Sequence, residues 1–270
     1  MKFRFIIFTK LFFLLIFISC SKADDSVTTD KVDIINIHSN IVNEDYVLYV
    51  YLPPSYENSS NDFPVLYQLD GDFTVELTIE NAESLSSIEE FIIVGIDYLG
   101  NNKRERDFTP TYQEDFHDSG GADAFYDFLK TELIPYINSN YRVDSNFGNT
   151  LKGHSLGGLF ATTALLKHNQ NPNVFKNYII ESPSLWWDNG LMLSEEQEFS
   201  EANTSLDTKI YVSVGELEQV IQKLYFETFK TQLLSRNYLG LTSKFRILPN
   251  ANHSDVRNNP EVLTYIYQNE

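Results

Sequence analysis

The chain has 270 residues, 42% of them hydrophobic, and a formal net charge of −18 at pH 7. This length and composition suffice for one large core, and so acidic a surface repels phosphate backbones, so we expect no nucleic-acid partner. The one cysteine, Cys20, excludes an internal disulfide and a cysteine-rich zinc site. The histidines show no metal-ligand spacing, and we expect neither a metal nor another cofactor in the chemistry.

Residues 1–20 have the features of a secretory signal. Basic residues are followed by an apolar run from Leu11 to Ile18, which would rise only about 12 Å as a helix and is too short to span a bilayer. The segment FISC, ending at Cys20, resembles a bacterial lipoprotein signal, in which the cysteine becomes the lipidated first residue. The alternative is an ordinary signal peptide with an incidental cysteine.

The residues after the signal are polar. Residues 21–25, SKADD, resemble the export tag of surface lipoproteins in the Bacteroidetes. We therefore expect a lipid anchor at Cys20, a polar tether over residues 21–31, and a location at the outer membrane of a Gram-negative bacterium, with the cell surface as one alternative. The oligomeric state is left open.

From residue 32 onward, apolar strands alternate with amphipathic segments. VDIINIHS and YVLYVYLP alternate in polarity and predict an antiparallel hairpin at one edge of a sheet. Further apolar runs predict buried strands: FPVLYQLD, FIIVGIDY, TLKG, NYIIES, KIYVSVGE and KFRILP. Helical patterns cover residues 121–137, 155–168, 221–236 and 260–268. Residues 32–270 are thus predicted to form a single α/β domain, a mostly parallel central sheet with helices on both faces.

The segment Gly153-His154-Ser155-Leu156-Gly157 has the pattern G-x-S-x-G between a predicted strand and a predicted helix. This is the context of a nucleophile elbow, and it predicts Ser155 as a nucleophile, with a structural turn as the alternative. The glycines keep the sharp turn free of side chains. The N–H of Leu156 would be one oxyanion donor. For His154 the alternatives are packing and a contact with the substrate.

A second oxyanion donor is expected in the loop after the first buried strand, which reads Asp70-Gly71-Asp72. In serine hydrolases of this kind that loop supplies one N–H. Gly71 lets the backbone approach closely, and the N–H of Asp72 or its neighbour is the candidate. The alternative is an ordinary turn that ends the strand.

Two histidines follow Ser155, as the order serine, acid, histidine requires. His168 lies at the far end of the helix that Ser155 begins, roughly 20 Å away. His253 lies in the polar loop PNANHSDV after the last predicted strand, at the same edge as the elbow. His253 is therefore the predicted general base.

The acid is expected after the strand KIYVSV, where GELEQ offers Glu216 and Glu218. Glu218 lies further past the strand end and is the prediction, with Glu216 and Glu227 as alternatives. The carboxylate would hold the imidazole in the right tautomer and stabilise its charged form.

Two further segments are candidates for substrate contact. In RERDFTP, Arg106 is either a ligand for an anionic substrate or, together with Asp107, a tie that holds a loop over the sheet edge. In SPSLWW, Trp186 and Trp187 are expected to frame the cleft. The alternative is that one of the two rings belongs to the hydrophobic core.

Several segments occur in order along the chain: LYQLDGDF, IVGIDY, RERDFTPTY, KGHSLGGLFA, ESPSLWWDN and VSVGELE. Together they resemble the Putative esterase family of α/β-hydrolases, which includes enterobactin and salmochelin esterases, S-formylglutathione hydrolase and feruloyl esterases. The resemblance covers roughly residues 32–268. It implies an α/β-hydrolase fold and cofactor-free serine ester hydrolysis.

The same resemblance leaves the substrate open. SPSLWW with LDGD resembles the siderophore-esterase branch, which implies a catecholate tri-lactone ester as substrate; in that branch the acid can be poorly placed. The alternatives are a carbohydrate esterase that removes acetyl or feruloyl groups from polysaccharide, and a non-catalytic binding lipoprotein on a hydrolase fold.

Overall fold

The computed structural model describes residues 31–169 and 174–268. Within these ranges eight strands form one sheet in the order β1-β2-β4-β3-β5-β6-β7-β8. The strands are β1 (Val32–Ser39), β2 (Glu44–Tyr51), β3 (Val65–Leu69), β4 (Ile92–Tyr98), β5 (Thr150–His154), β6 (Asn177–Glu181), β7 (Lys209–Gly215) and β8 (Thr242–Leu248).

Strand direction follows the polarity patterns. β1 and β2 form an antiparallel hairpin at one edge, and β2 pairs antiparallel with β4. All other pairs, from β4 across to β8, are parallel. The predicted edge hairpin and the predicted mostly parallel α/β sheet are both confirmed. The carboxyl ends of the parallel strands consequently open at one edge of the sheet, where ligands bind in open α/β folds.

Helices cover both faces of the sheet. They are α1 (Gly71–Ser84), α2 (Arg104–Asp107), α3 (Ala122–Phe128), α4 (Ile134–Asn140), α5 (Leu156–Leu166), α6 (Leu191–Ala202), α7 (Val220–Ser235) and α8 (Glu261–Tyr267). Leu66 packs in one apolar cluster with side chains of α1 and α8, whereas its neighbour Tyr67 packs in another with α3, α5 and α7. Successive strand residues point to opposite faces, so one strand supplies both cores.

The helix predicted over residues 121–137 is more complex than its pattern suggests. A π-helical segment, Leu129–Leu133, joins α3 to α4. Helices α1, α2 and α6 were not among the predicted helices. In α6 the buried positions Met192, Glu196 and Phe199 have helical spacing, but a glutamate in the middle of them interrupts the apolar pattern in the sequence.

The turn between β5 and α5 consists of Ser155 alone, with φ 60° and ψ −117°. Such a backbone is costly for a residue with a side chain. It is held by the Ser155 N–H, which donates to the Glu181 carbonyl at 3.0 Å, and by the Ser155 carbonyl, which accepts the Leu159 N–H at 2.9 Å.

The glycines around this turn differ in how strictly they are needed. A Cβ on Gly153 would lie 2.1 Å from the Gly157 carbonyl oxygen, and one on Gly158 would lie 2.9 Å from Pro183 Cα. A Cβ on Gly157 would meet nothing closer than 3.5 Å. Close approach therefore requires glycine at 153 and 158, whereas position 157 has room for a Cβ atom, contrary to expectation.

Most of the N-terminal prediction lies outside the described residues. The signal, Cys20 and residues 21–30 belong to that part, and of the tether only Lys31 is described, paired with Glu83 at 2.7 Å. In the described ranges no helix is long and apolar enough to cross a bilayer. The same ranges hold no cluster of three or more His, Cys, Asp or Glu side chains suited to a metal ion.

Candidate active site

Three loops at the carboxyl edge of the sheet carry the predicted site. Ser155 follows β5, Glu218 follows β7, and His253 follows β8. Since β5, β6, β7 and β8 are consecutive parallel neighbours, the loops after them lie side by side.

Glu218 and His253 are joined by a hydrogen bond. Glu218 Oε2 lies 2.8 Å from His253 Nδ1, and the Glu218 side chain is only 2% exposed. A carboxylate can only accept, so Nδ1 carries the proton and donates it. The other ring nitrogen, Nε2, is then left with a lone pair, the tautomer that a general base toward serine requires.

The second carboxylate oxygen of Glu218 is also held. It accepts the Gly215 N–H at 2.8 Å and the Ser182 hydroxyl. Burial raises the pKa of Glu218, but the hydrogen bonds from His253, Ser182 and Gly215 outweigh burial and leave the pKa below its usual value. Glu218 is therefore an ionised, fixed carboxylate at neutral pH.

The two alternative acids have other partners. Glu216 is exposed and accepts the Asn250 N–H at 2.9 Å. Glu227 pairs with Lys230 at 3.1 Å along α7. Of the three predicted candidates, the structure brings only Glu218 to His253.

The serine is not hydrogen-bonded to the histidine in this structure. Ser155 Oγ lies 3.4 Å from Ser184 Oγ, and within the described ranges no hydrogen bond of 3.5 Å or less joins it to His253. Catalytic hydrogen bonds are often long in ligand-free enzymes and tighten when substrate binds. The roles of Ser155 and His253 stay predictions, supported by their placement at one sheet edge.

His154 lies behind His253. Its Nε2 donates to the His253 carbonyl at 2.6 Å, and the two ring centroids are 4.6 Å apart. Burial, followed by the neighbouring His253, lowers the pKa of His154 to about 3. The neutral His154 ring thus holds the loop that carries His253. Of its two predicted roles, the structure favours packing over a substrate contact.

The two predicted donors in the loop after β3 differ. The Asp72 N–H donates to Asp97 Oδ2 at 3.0 Å, so Asp72 is not the open oxyanion donor that the sequence suggested. Gly71 packs so closely on β4 that a Cβ would lie 2.8 Å from the Gly95 carbonyl carbon. Of these two N–H groups, that of Gly71 stays the predicted second oxyanion donor, beside the N–H of Leu156.

An ion pair that the sequence did not predict connects the loop after β3 to the turn between β5 and α5. Arg104 Nε and Nη2 donate to the two oxygens of Asp70 at 2.9 and 3.0 Å, and Nη2 also lies 3.4 Å from the His154 carbonyl. Asp70 precedes Gly71, and His154 precedes Ser155. Burial raises the pKa of Asp70, partly offset by Arg104.

Arg106 is held by two carboxylates on the β2 side of its helix. Its guanidinium donates to the buried Asp107 at 2.7 Å and to Glu44 at 3.0 Å, and Asp107 also accepts the Tyr46 hydroxyl at 2.7 Å. Of the two predicted roles of Arg106, the structure favours the tie with Asp107 over a ligand for an anionic substrate. On this short helix, Arg104 faces the site and Arg106 faces β2.

The two tryptophans have separate roles. Trp187 is buried and donates its indole N–H to Thr111 at 3.0 Å. Trp186 is exposed and lines a cavity of about 540 Å³ whose wall includes Glu218 and His253. Trp186 is thus placed where a cleft residue was predicted, and Trp187 is core.

A comparison with protein families decides the class of the chain. The model of the family described as "Putative esterase" matches residues 39–254. The chain belongs to this family. It is a serine esterase with an α/β-hydrolase fold, and the alternative of a non-catalytic binding protein is not supported.

Curated relatives and solved structures agree with this class. Ferri-bacillibactin esterase BesA of Bacillus subtilis is 31% identical over 66% of this chain and 68% of its own length. Siderophore triacetylfusarinine C esterase of Aspergillus fumigatus is 31% identical over 65% of each chain. The IroE-like serine hydrolase from Shewanella oneidensis superposes with a TM-score of 0.78 at 26% identity, covering 87% of this esterase and 78% of that chain.

The neutral state of His154 predicts a pH-dependent stability. Because its folded-state pKa is lowered from 6.5 to about 3, the unfolded chain binds a proton between these values that the folded chain does not. Stability therefore falls as pH falls below 6.5, by about 1.4 kcal/mol per pH unit from this group.

His154→Gln is the matched variant, since its amide N–H can still donate to the His253 carbonyl but does not titrate. Between pH 7.5 and pH 5, urea unfolding is expected to show that wild type loses about 2 kcal/mol more free energy of unfolding than the variant. Equal losses in the two proteins would contradict a neutral, buried His154.

Proposed function

We propose that this esterase hydrolyses the ester bonds of a siderophore, using Ser155, His253 and Glu218 as nucleophile, base and acid. The observation that carries the catalytic part is the 2.8 Å hydrogen bond between the buried Glu218 carboxylate and His253, at the sheet edge that also carries Ser155. The relatives named as ferri-bacillibactin and triacetylfusarinine C esterases support the substrate class.

Acylation would proceed at Ser155. His253 Nε2 removes the hydroxyl proton while Oγ attacks the ester carbonyl carbon, and the carbonyl oxygen becomes an oxyanion. The N–H groups of Leu156 and Gly71 are the proposed donors to that oxyanion. As the intermediate collapses, His253 returns the proton to the leaving alcohol, and an acyl-enzyme remains.

Deacylation uses the same groups. His253 removes a proton from water, the resulting hydroxide attacks the acyl carbonyl, and Ser155 leaves with the proton from His253. Glu218 keeps the imidazole oriented and stabilises its charged form in both steps. For the first step Ser155 Oγ must move from Ser184 toward His253 Nε2, a side-chain rotation on a fixed backbone.

One experiment tests both parts of the proposal. Purified protein is given a catecholate tri-lactone siderophore, acetylated xylan and a feruloylated oligosaccharide, and the released acids and alcohols are quantified by mass spectrometry. We expect hydrolysis of the siderophore by wild type and none by Ser155→Ala. Hydrolysis of the polysaccharide esters alone would favour the carbohydrate esterase instead.

Two isosteric variants identify the acid within the same assay. Glu218→Gln removes the charge that His253 Nδ1–H meets, and kcat/KM is expected to fall by about 10²–10⁴-fold. Glu216→Gln changes an exposed residue that does not contact His253 and is expected to stay within about twofold. Equal kcat/KM for the two variants would contradict Glu218 as the acid.

We also propose that the mature chain is anchored to the outer membrane of a Gram-negative bacterium through a lipidated Cys20. The support is the signal-like composition of residues 1–20, with a lipoprotein-like FISC at its end. A triacylated cysteine exceeds the two signals that stable anchoring takes, with each buried acyl CH₂ group stabilising by about 0.8 kcal/mol.

Expression of the full chain with labelled palmitate tests the anchor. Wild type is expected to carry the label and to be recovered in the membrane fraction. Cys20→Ala is expected to carry no label. Recovery of unlabelled wild type in the periplasmic fraction would show an ordinary signal peptide instead.

A further inference from the structure

A lysine and a glutamate are buried together beneath the nucleophile turn. Lys152 lies on β5, two residues before His154, and Glu181 is the last residue of β6. The two residues are 5% and 0% exposed, and Lys152 Nζ lies 3.8 Å from Glu181 Oε2. Neither belongs to the described residues that line the cavity beside His253, so neither is placed to contact a substrate there.

This ion pair is costly for folding. Burying a carboxylate is unfavourable unless hydrogen bonds replace those lost from water. Within the described ranges, neither oxygen of Glu181 accepts a hydrogen bond of 3.5 Å or less. Burial raises the pKa of Glu181, and the charges of Lys152 and Arg257 offset only part of this rise. Buried ion pairs often stabilise a fold no more than apolar side chains of the same size, so folding alone does not explain this one.

The end of β6 supports both the nucleophile and the acid. The Glu181 carbonyl accepts the Ser155 N–H at 3.0 Å, which is one of the two hydrogen bonds that hold the strained turn. The next residue, Ser182, donates its hydroxyl to Glu218, the carboxylate that holds His253. A displacement of Glu181 would therefore change the position of Ser155 relative to His253.

Lys152 connects the same point to the helix that follows β3. Its ammonium donates to the Thr78 hydroxyl at 3.1 Å, and Thr78 donates to Gln68 Oε1 at 2.7 Å. Thr78 lies on α1, which begins at Gly71, the proposed oxyanion donor. The positive charge thus lies between α1 and the end of β6, where it attracts Glu181 from inside the fold.

We propose that Lys152 and Glu181 are positioning residues, whose buried ion pair fixes the end of β6 and thereby the placement of Ser155 relative to His253. This rests on the proposed function, in which Ser155 is the nucleophile. Attraction between buried charges depends on their separation, whereas apolar contacts are non-directional. Since a misplacement of about 1 Å can slow a reaction by about 10²-fold, the pair acts on the chemical step rather than on substrate binding.

A paired replacement separates positioning from stability. Lys152→Met with Glu181→Leu removes both charges at similar volume, so this double variant is expected to melt at or above the wild-type temperature. On 4-nitrophenyl acetate we expect kcat to fall at least about tenfold with KM within about twofold, and fluorophosphonate labelling of Ser155 to slow by the same factor. Wild-type kcat in the folded double variant would overturn the proposal.

A second buried glutamate provides the matched control. Glu196 is also 0% exposed and pairs at 3.2 Å with Arg236, which follows the end of α7 remote from the cavity. Arg236→Met with Glu196→Leu is expected to keep kcat within about twofold of wild type. An equal fall in kcat for the two double variants would show a general effect of losing a buried ion pair and would contradict the positioning role.

Glu181→Gln gives an independent measurement, which decides the question if the double variant does not fold. The amide oxygen can still accept from Lys152 but carries no charge, and kcat is expected to fall severalfold at unchanged KM. Wild-type kcat in folded Glu181→Gln would contradict the proposal. Ser155→Ala is expected to abolish hydrolysis in the same assay; if it does not, the proposed nucleophile fails and the positioning role fails with it.

Discussion

The hydrogen bond between Glu218 and His253 is the interaction on which the site depends. His253 lies in an irregular loop after β8, where nothing in the strand itself orients an imidazole. The carboxylate does so because it is buried, ionised, and held in turn by Ser182 and the Gly215 N–H. A fixed acceptor determines which nitrogen of His253 carries the proton, and the other nitrogen becomes the base.

A second hydrogen bond, from His154, holds the backbone of His253. His154, which immediately precedes Ser155, donates to the carbonyl of His253, so the nucleophile turn and the base loop are joined by one contact. Two imidazoles this close would repel each other if both were charged. Burial lowers the pKa of His154 and keeps its ring neutral. The Asp70–Arg104 pair likewise connects two loops, because it joins the loop that carries Gly71 to the turn at Ser155.

Much of the fold followed from local pattern. Buried parallel strands are continuous apolar runs, and all eight strands were predicted from such runs or from alternation. The nucleophile turn was equally visible, since close packing demands glycine at 153 and 158. The expectation that position 157 also needs glycine failed, because the space around that position depends on Leu69 and Asp70, far away in the chain.

The remaining site residues depended on tertiary contacts that the sequence does not display. Glu216 and Glu218 differ by two positions on one loop, yet one is exposed and the other is buried against Ser182 and His253. Arg104 and Arg106 are likewise two apart on one turn of helix and face opposite directions. Position past the strand end favoured Glu218 over Glu216, but which member of each pair points inward depends on the packing of the whole fold.

Covalent labelling tests the central claim, that Ser155 is a nucleophile activated by the Glu218-held His253. Folded protein is treated with a fluorophosphonate, and intact mass and peptide mapping count and locate the adducts. The account predicts one adduct, on Ser155, formed much more slowly in His253→Ala. An unlabelled Ser155 in folded wild type, or labelling that is unaffected by His253→Ala, would contradict it.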